Sequence, residues 1–228
     1  MSGPATPPKR PSVYQFTLGA CTVTNILDGF IHRADLHPFV ATNVEADAVE
    51  ALVQEYRLPY PKTEHNFVAT VLEINGKIIA IDPGFGAAAP TPTTGFFMEG
   101  LSTVEYSPDD IDIVLISHCH PDHIGNVATD GVPTFPNAEI VIGRTEFEFW
   151  KAGEDVSEMR QPTLQLFQKT LLPLEGQLRL IEPGDDIVPG LALYPRTLGR
   201  LPAADRLHVV TTRALDRLPP RALPTTAT

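Results

Sequence analysis

Two β-branched-rich runs open the ordered part of the chain, Val13 to Leu18 and Cys21 to Leu27, and predict strands joined at Gly19-Ala20. Asp28-Gly29 reads as a turn. Across Glu45 to Tyr56 the apolar positions Ala48, Val49, Leu52 and Val53 recur at helical spacing. Phe67 to Ile74 and Lys77 to Ile81 flank Asn75-Gly76, a strong hairpin signal. A Gly/Pro/Thr-rich loop carrying Phe85, Phe96 and Phe97 follows, and Ser107 to Asp110 has the pattern of a short capped turn. Asp112 to Ser117 is almost continuously apolar, as in a strand covered on both faces. Ala138 to Ile142, Leu178 to Ile181 and Ile187 to Leu193 predict further strands; Arg144 to Lys151 and Val156 to Leu171 predict helices. Strands and helices interleave without a repeat, which predicts an α/β layered domain whose chemistry sits on loops at strand ends.

The 228 residues suffice for one domain with its own core, and 43% hydrophobic residues argue against wholesale disorder. No apolar run reaches the ~20 residues of a membrane span. Met1 to Pro11 is polar and Pro-rich without the apolar centre of a secretory signal, so residues 1–12 are expected to be a disordered tail of a cytoplasmic protein. A net charge of -11 disfavours nucleic acid and anionic lipid as partners. Two cysteines, Cys21 and Cys119, make no disulfide framework. The charge is unevenly spread. Residues 196–228 carry six Arg, two Asp and no Lys, Glu, Ile or Phe, so composition changes at about Pro195.

Directly after the apolar strand stands His118-Cys119-His120-Pro121-Asp122-His123. Side chains at i and i+2 of an extended segment point the same way, so His118 and His120 can grip one ion. Beyond Pro121, which stiffens the bend, Asp122 and His123 can be aimed at a second. Imidazole with carboxylate suits zinc, iron, manganese or cobalt. The competing reading is a polar loop with fortuitous histidines; three of the chain's seven His at ligand spacing argue against it. Cys119 should point away from the ions and be buried and inert. His32, His37 and His65 lack motif partners and are read as structural or surface residues.

The segment His118-x-His120-x-Asp122-His123 resembles the signature of the metallo-β-lactamase fold superfamily, and Ile81-Asp82-Pro83-Gly84 resembles that family's strand-end Asp-x-Gly element. The resemblance covers roughly Val13 to Pro195. Phe135 to Ala138, then Glu146 to Trp150, is similar to the branch containing methyl parathion hydrolase and related lactonases. It implies an αβ/βα sandwich and a hydrolase with two divalent ions, zinc foremost, acting on an ester, lactone or phosphotriester. His118 and His120 would ligate the first ion, Asp122 and His123 the second, and Asp82 would hold the His loop by hydrogen bonds, with a simple turn Asp as the equal alternative. A hydroxide between ions ~3.5–4 Å apart would attack the carbonyl or phosphoryl centre. Asp122 would orient it and accept a proton, as the catalytic residue. Phe85, Phe96, Phe97 and Trp150 are candidate walls of a small-molecule pocket, with core packing as the alternative for each.

The family pattern then breaks. A Gly-His-containing segment should follow Ile187 to Leu193, and a bridging Asp and a further His should come later. The chain instead reads Pro195-Arg196-Thr197-Leu198-Gly199-Arg200, with His208, Asp205 and Asp216 lacking context. The coincidence of composition change and lost motif predicts a frameshift near Pro195. Codons compatible with Pro195 to Gly199, read one base out of phase, can spell Pro-Gly-His-Ser. Genuine divergence is the alternative. Residues 13–195 are thus expected to form an incomplete sandwich, impaired as an enzyme, with 196–228 an aberrant tail, loose or poorly helical. Two further readings are a non-catalytic binding remnant, homodimeric through its uncovered sheet, and an iron-dependent relative of the persulfide dioxygenase kind.

Overall fold

Period-two alternation sends the apolar side chains of the central strands to two opposite faces, and each face has its own core. The computed structural model describes residues 10–38, 40–41, 43–154, 156–195 and 208–212. A seven-stranded sheet forms the frame, in the order β1-β2-β3-β4-β5-β8-β9. Strands β1 (Val13–Leu18), β2 (Cys21–Arg33), β3 (Thr63–Ile74) and β4 (Lys77–Ile81) are antiparallel neighbours. Strands β5 (Ile113–Ile116), β8 (Glu139–Gly143) and β9 (Leu178–Ile181) continue parallel to β4.

All four residues of β5 are buried, as its continuous apolar run required. Val114 and Ile116 join one core with α2 (Phe97–Thr103), α4 (Arg144–Ala152) and α5 (Gln161–Thr170), through Phe97, Leu101, Phe147, Trp150 and Phe167. Ile113 and Leu115 join the other, which Ile187 and Leu191 close from a second sheet. That sheet consists of β10 (Asp186–Val188), β11 (Leu191–Pro195) and β12 (His208–Thr212). The main sheet is covered here by helices on one side and by strands on the other. Towards β1 the second covering stops among the described residues, and Tyr14, Phe16, Leu18 and Val68 stand exposed.

Helix α1 (Ala46–Glu55) turns Val49 and Val53 inward. Asn75 and Gly76 both take positive φ in the β3–β4 turn, as the Asn-Gly signal predicts. Ser107 and Asp110 form the expected capping box around the turn Pro108–Asp110. The hairpin β6 (Ala128–Thr129) and β7 (Val132–Pro133) turns at Asp130-Gly131, both again at positive φ.

Four expectations are corrected. Asp28-Gly29 is no turn: β2 runs on to Arg33, with a register shift between Leu27 and Gly29. Gly29 has φ +148°, and a Cβ there would lie 2.2 Å from the Thr93 carbonyl, so the strand bulges where only glycine lets the 91–95 loop approach. The Phe96-Phe97 stretch is not all loop, because α2 starts at Phe97. Val156 to Leu171 divides into a 3₁₀ turn, Glu158–Arg160, and α5, with Pro162 in the first turn of α5. Within the expected aberrant tail, 208–212 pairs with β11 as a strand rather than as loose chain or helix. Val209, Val210, Thr211 and Thr212 are β-branched, and β11 has an open edge to receive them. Residues 1–9, 196–207 and 213–228, with Asp205 and Asp216, lie outside the described residues. Among the described residues no helix is long and apolar enough to cross a membrane.

Candidate metal centre

The end of β5 delivers the histidine loop. His120 caps the one-turn helix α3 (Pro121–Ile124), with Pro121 at its first position and the His123 N–H donating to the His120 carbonyl. The expected bend after Pro121 is therefore a helical turn. Asp82 ends the neighbouring strand β4 at φ +50°, in the left-handed region that Asp tolerates better than most residues. This turn aims its carboxylate across at the loop. Asp82 Oδ1 accepts the Ser117 N–H at 2.8 Å and Oδ2 accepts the Ser117 hydroxyl at 2.6 Å. His123 Nδ1 lies 2.8 Å from the same Oδ2. Asp82 thus touches the loop through Ser117 and His123.

Ser117 has one hydroxyl hydrogen and gives it to Asp82, so at 3.0 Å from His118 Nδ1 its oxygen accepts. His118 then carries its proton on Nδ1 and keeps a lone pair on Nε2. That nitrogen lies 3.0 Å from His120 Nδ1. His123 Nε2 lies 3.0 Å from Asp122 Oδ2. With Arg160 donating to its Nε2, His120 carries its proton on Nδ1 and donates it to His118 Nε2, while the His123 Nε2–H donates to Asp122. Both pairs are hydrogen-bonded, at spacings close to the ~3.3 Å of two ligands on one tetrahedral ion, which would have to displace those protons. The rings are gathered, with centroids 4.4 Å apart for His118–His120 and 3.8 Å for His118–His123. Among the described residues no group of three or more His, Cys, Asp or Glu converges to hold an ion. The donor chemistry of these side chains fits divalent cations.

Electrostatics separate the three imidazoles. Burial, then the charges of His123 and His120, push His118 down to about 3. Burial also works against charge on His123, but Asp82 and Asp122 overcome it and raise the group to about 10. Burial would raise Asp82, yet the His123 charge and the Ser117 bonds hold it below the usual carboxylate range. Three clustered imidazoles cannot all be charged, and the two carboxylates select His123.

Three further residues act here without having been singled out for a role. Ser117 is the hydrogen-bond hub, and its position just before His118 was the available signal. Glu146 is buried beneath the loop, its Oε1 accepting the Cys119 N–H at 2.9 Å and the Trp150 indole N–H at 2.7 Å. Burial raises Glu146 to about 7 against those two bonds. Arg160 donates to His120 Nε2 from the turn before α5; nothing in the local sequence marks it. Cys119 is fully buried, and burial raises its thiol well above the ordinary range.

Of the four aromatic candidates, Phe97 and Trp150 are fully buried in the helix-side core and Phe85 is buried against Phe67, with ring centroids 4.8 Å apart. Phe96 is the one that reaches solvent, at 39% exposure. His32 and His65 lie on β2 and β3 beside aromatic rings, and His37 contacts the Val44 carbonyl.

A family model, that of the metallo-beta-lactamase superfamily, matches residues 67–214 and so runs past the composition change at Pro195. A probable metallo-hydrolase of Methanocaldococcus jannaschii is 34% identical over 71 residues, 31% of this chain and 32% of that protein. The N-acyl homoserine lactonase of Bacillus thuringiensis is 31% identical over 111 residues, 49% of this chain and 38% of the lactonase. The matched stretch spans well under half of either curated relative. Among solved structures, AidC, a dizinc quorum-quenching lactonase in complex with a product, superposes with a TM-score of 0.74 at 22% identity, covering 88% of this chain and 70% of that one. AbOPH, a hydrolase in the beta lactamase superfamily, gives 0.70 at 23% identity, covering 82% and 66%. At these identities the two solved structures establish the fold.

Proposed function

The chain belongs to the metallo-β-lactamase superfamily, and from that premise we propose that it is a metal-dependent hydrolase of a small ester or lactone, with aryl phosphotriesters as the second substrate class. One observation carries the reading: His118 Nε2 with His120 Nδ1, and Asp122 Oδ2 with His123 Nε2, form pairs 3.0 Å apart at the end of a rigid buried strand. His118 and His120 would hold one divalent ion, Asp122 and His123 the other. Bound there, such ions supply Lewis-acid activation of water and of the substrate's carbonyl or phosphoryl oxygen. The chain's own residues do the rest. Ser117 keeps the His118 proton on Nδ1, which leaves Nε2 to ligate, and Asp82 fixes His123 from behind through Nδ1. Asp122, 26% exposed, would orient the attacking water and take up its proton. The lactonase relatives support the substrate class.

Two ligands per ion is one fewer than catalytic sites normally use. The full chain, loaded with zinc and assayed against N-acyl homoserine lactones and an aryl phosphotriester, is expected to retain fewer than two equivalents of metal and to turn over slowly. Asp122→Ala is expected to abolish that turnover. Activity that survives Asp122→Ala, or a purified chain with no affinity for zinc, cobalt, manganese or iron, would overturn the assignment.

A further inference from the structure

Glu146 is a buried carboxylate for which the hydrolytic reading has no use. It lies on α4 at 2% exposure, among Phe147, Trp150 and the helix-side core. Its two oxygens are treated very differently. Oε1 takes two hydrogen bonds, from the Cys119 N–H and the Trp150 indole N–H. Oε2 is buried and has no hydrogen-bond partner among the described residues. Burying a carboxyl with one oxygen unmatched is costly, and an apolar side chain of similar volume would serve the packing better. Only the accepted bonds can justify the residue. The Cys119 bond is the informative one, because Cys119 is the single residue between His118 and His120, and its N–H belongs to the peptide that joins it to His118.

We propose that Glu146 is the positioning residue of the histidine loop: its Oε1, held in place by the Trp150 indole, pins the Cys119 peptide and so fixes the relative direction of the two flanking imidazoles. The inference rests on the metal-centre reading above. It requires an acceptor at one point in space and no charge there. The pair Glu146→Gln and Glu146→Asp separates the two. Glutamine keeps a carbonyl oxygen where Oε1 lies; aspartate keeps the charge but withdraws it by one methylene from the Cys119 N–H. Trp150 is the chain's only tryptophan and shares Oε1, so its emission reports on the same bond.

The test is a zinc titration of the full-length parent and both variants, read by chelator competition and by Trp150 emission. Melting of the zinc-free proteins is measured alongside. The expected result is a parent-like zinc affinity for E146Q. E146D is expected to be weaker by about 10–100-fold, the usual effect of disturbing a group that orients a ligand, with its zinc-free melting midpoint matching that of E146Q. Equal affinities in all three proteins, a parent-like E146D beside a weakened E146Q, or a loss in E146D matched by its melting would overturn the inference. A parent that binds no zinc overturns the metal-centre reading, and this inference with it; a parent that binds zinc leaves that reading standing whatever the variants do.

Discussion

Replacing Asp28 with leucine tests how the loops around the site are held together. Asp28 is 1% exposed, where β2 bulges. Its Oδ2 accepts the Phe85 N–H at 3.0 Å and its Oδ1 the Phe97 N–H at 2.8 Å. One carboxylate therefore ties the loop after Asp82 to the start of α2. Leucine is nearly isosteric, so it puts methyl groups in front of both donors and leaves no space for a rescuing water. Each stranded buried N–H costs roughly 1–3 kcal/mol. Part of this is returned, because burial raises the Asp28 carboxyl and the variant no longer hides a charge. The balance is a loss of about 3 kcal/mol. For a chain of this size that corresponds to a melting midpoint lower by roughly 6–12 °C. Asp28→Asn keeps one carbonyl oxygen and should lose about half as much. Urea denaturation of the parent and both variants measures the difference. A leucine variant within about 0.5 kcal/mol of the parent, the range of inconsequential surface changes, would show that the two amides find other partners and that Asp28 is no tie.

Asp112 gives a pH-dependent counterpart. Lys77 Nζ, at 2.6 Å, and the Ile78 N–H, at 2.8 Å, hold its carboxyl below the usual range. A carboxyl with a lowered folded pKa contributes stability that is fully present above the ordinary carboxylate range and is lost as pH falls from there through the lowered value. Asp112→Asn should therefore cost about 1 kcal/mol at neutral pH for this partly exposed pair, with the difference from the parent shrinking in acid; a constant difference across acid denaturation curves would contradict the assignment. The composition change at Pro195 makes a prediction about the gene. Another forward frame across codons 190–228 should encode a Gly-His element followed by a further Asp and His, and DNA sequence without these in any frame establishes divergence instead.

Most of the sheet was legible because its signals are local. The Asn-Gly turn, the capping box at Ser107 and the unbroken β5 run each constrain a few neighbouring residues, and tertiary packing does not oppose them. Asp28-Gly29 misled because turn residues and a bulge share the same chemistry; what decided between them was the 91–95 loop crossing the strand. Phe97 looked like loop since Gly/Pro/Thr residues precede it, and its helix is anchored by the distant Asp28 carboxylate. At the site, the ligand candidates could be read from spacing alone. Glu146 and Arg160 could not, and Ser117 only by its place beside His118, because their roles depend on partners 27 to 40 positions away or on which atom spends a proton. Glu146 and Trp150 stand four apart on one helix, a visible pairing whose target, the Cys119 amide, was not.

Gly125, immediately after α3, lies where the two strand-end loops cross: an added Cβ would sit 2.1 Å from the Phe85 carbonyl oxygen and 2.6 Å from that of Pro121. Backbone meets backbone there with no side chain to yield, and Asn126 stitches the crossing with its N–H to the Gly84 carbonyl and its amide to the Pro83 carbonyl. The strand end bearing Asp82 and the turn bearing Asp122 and His123 therefore move as one piece. The start of the 86–96 loop belongs to the same crossing, since a Cβ at Gly86 would lie 2.8 Å from the Asn126 Cα, so a side chain at position 86 or 125 would have to force the two strand ends apart.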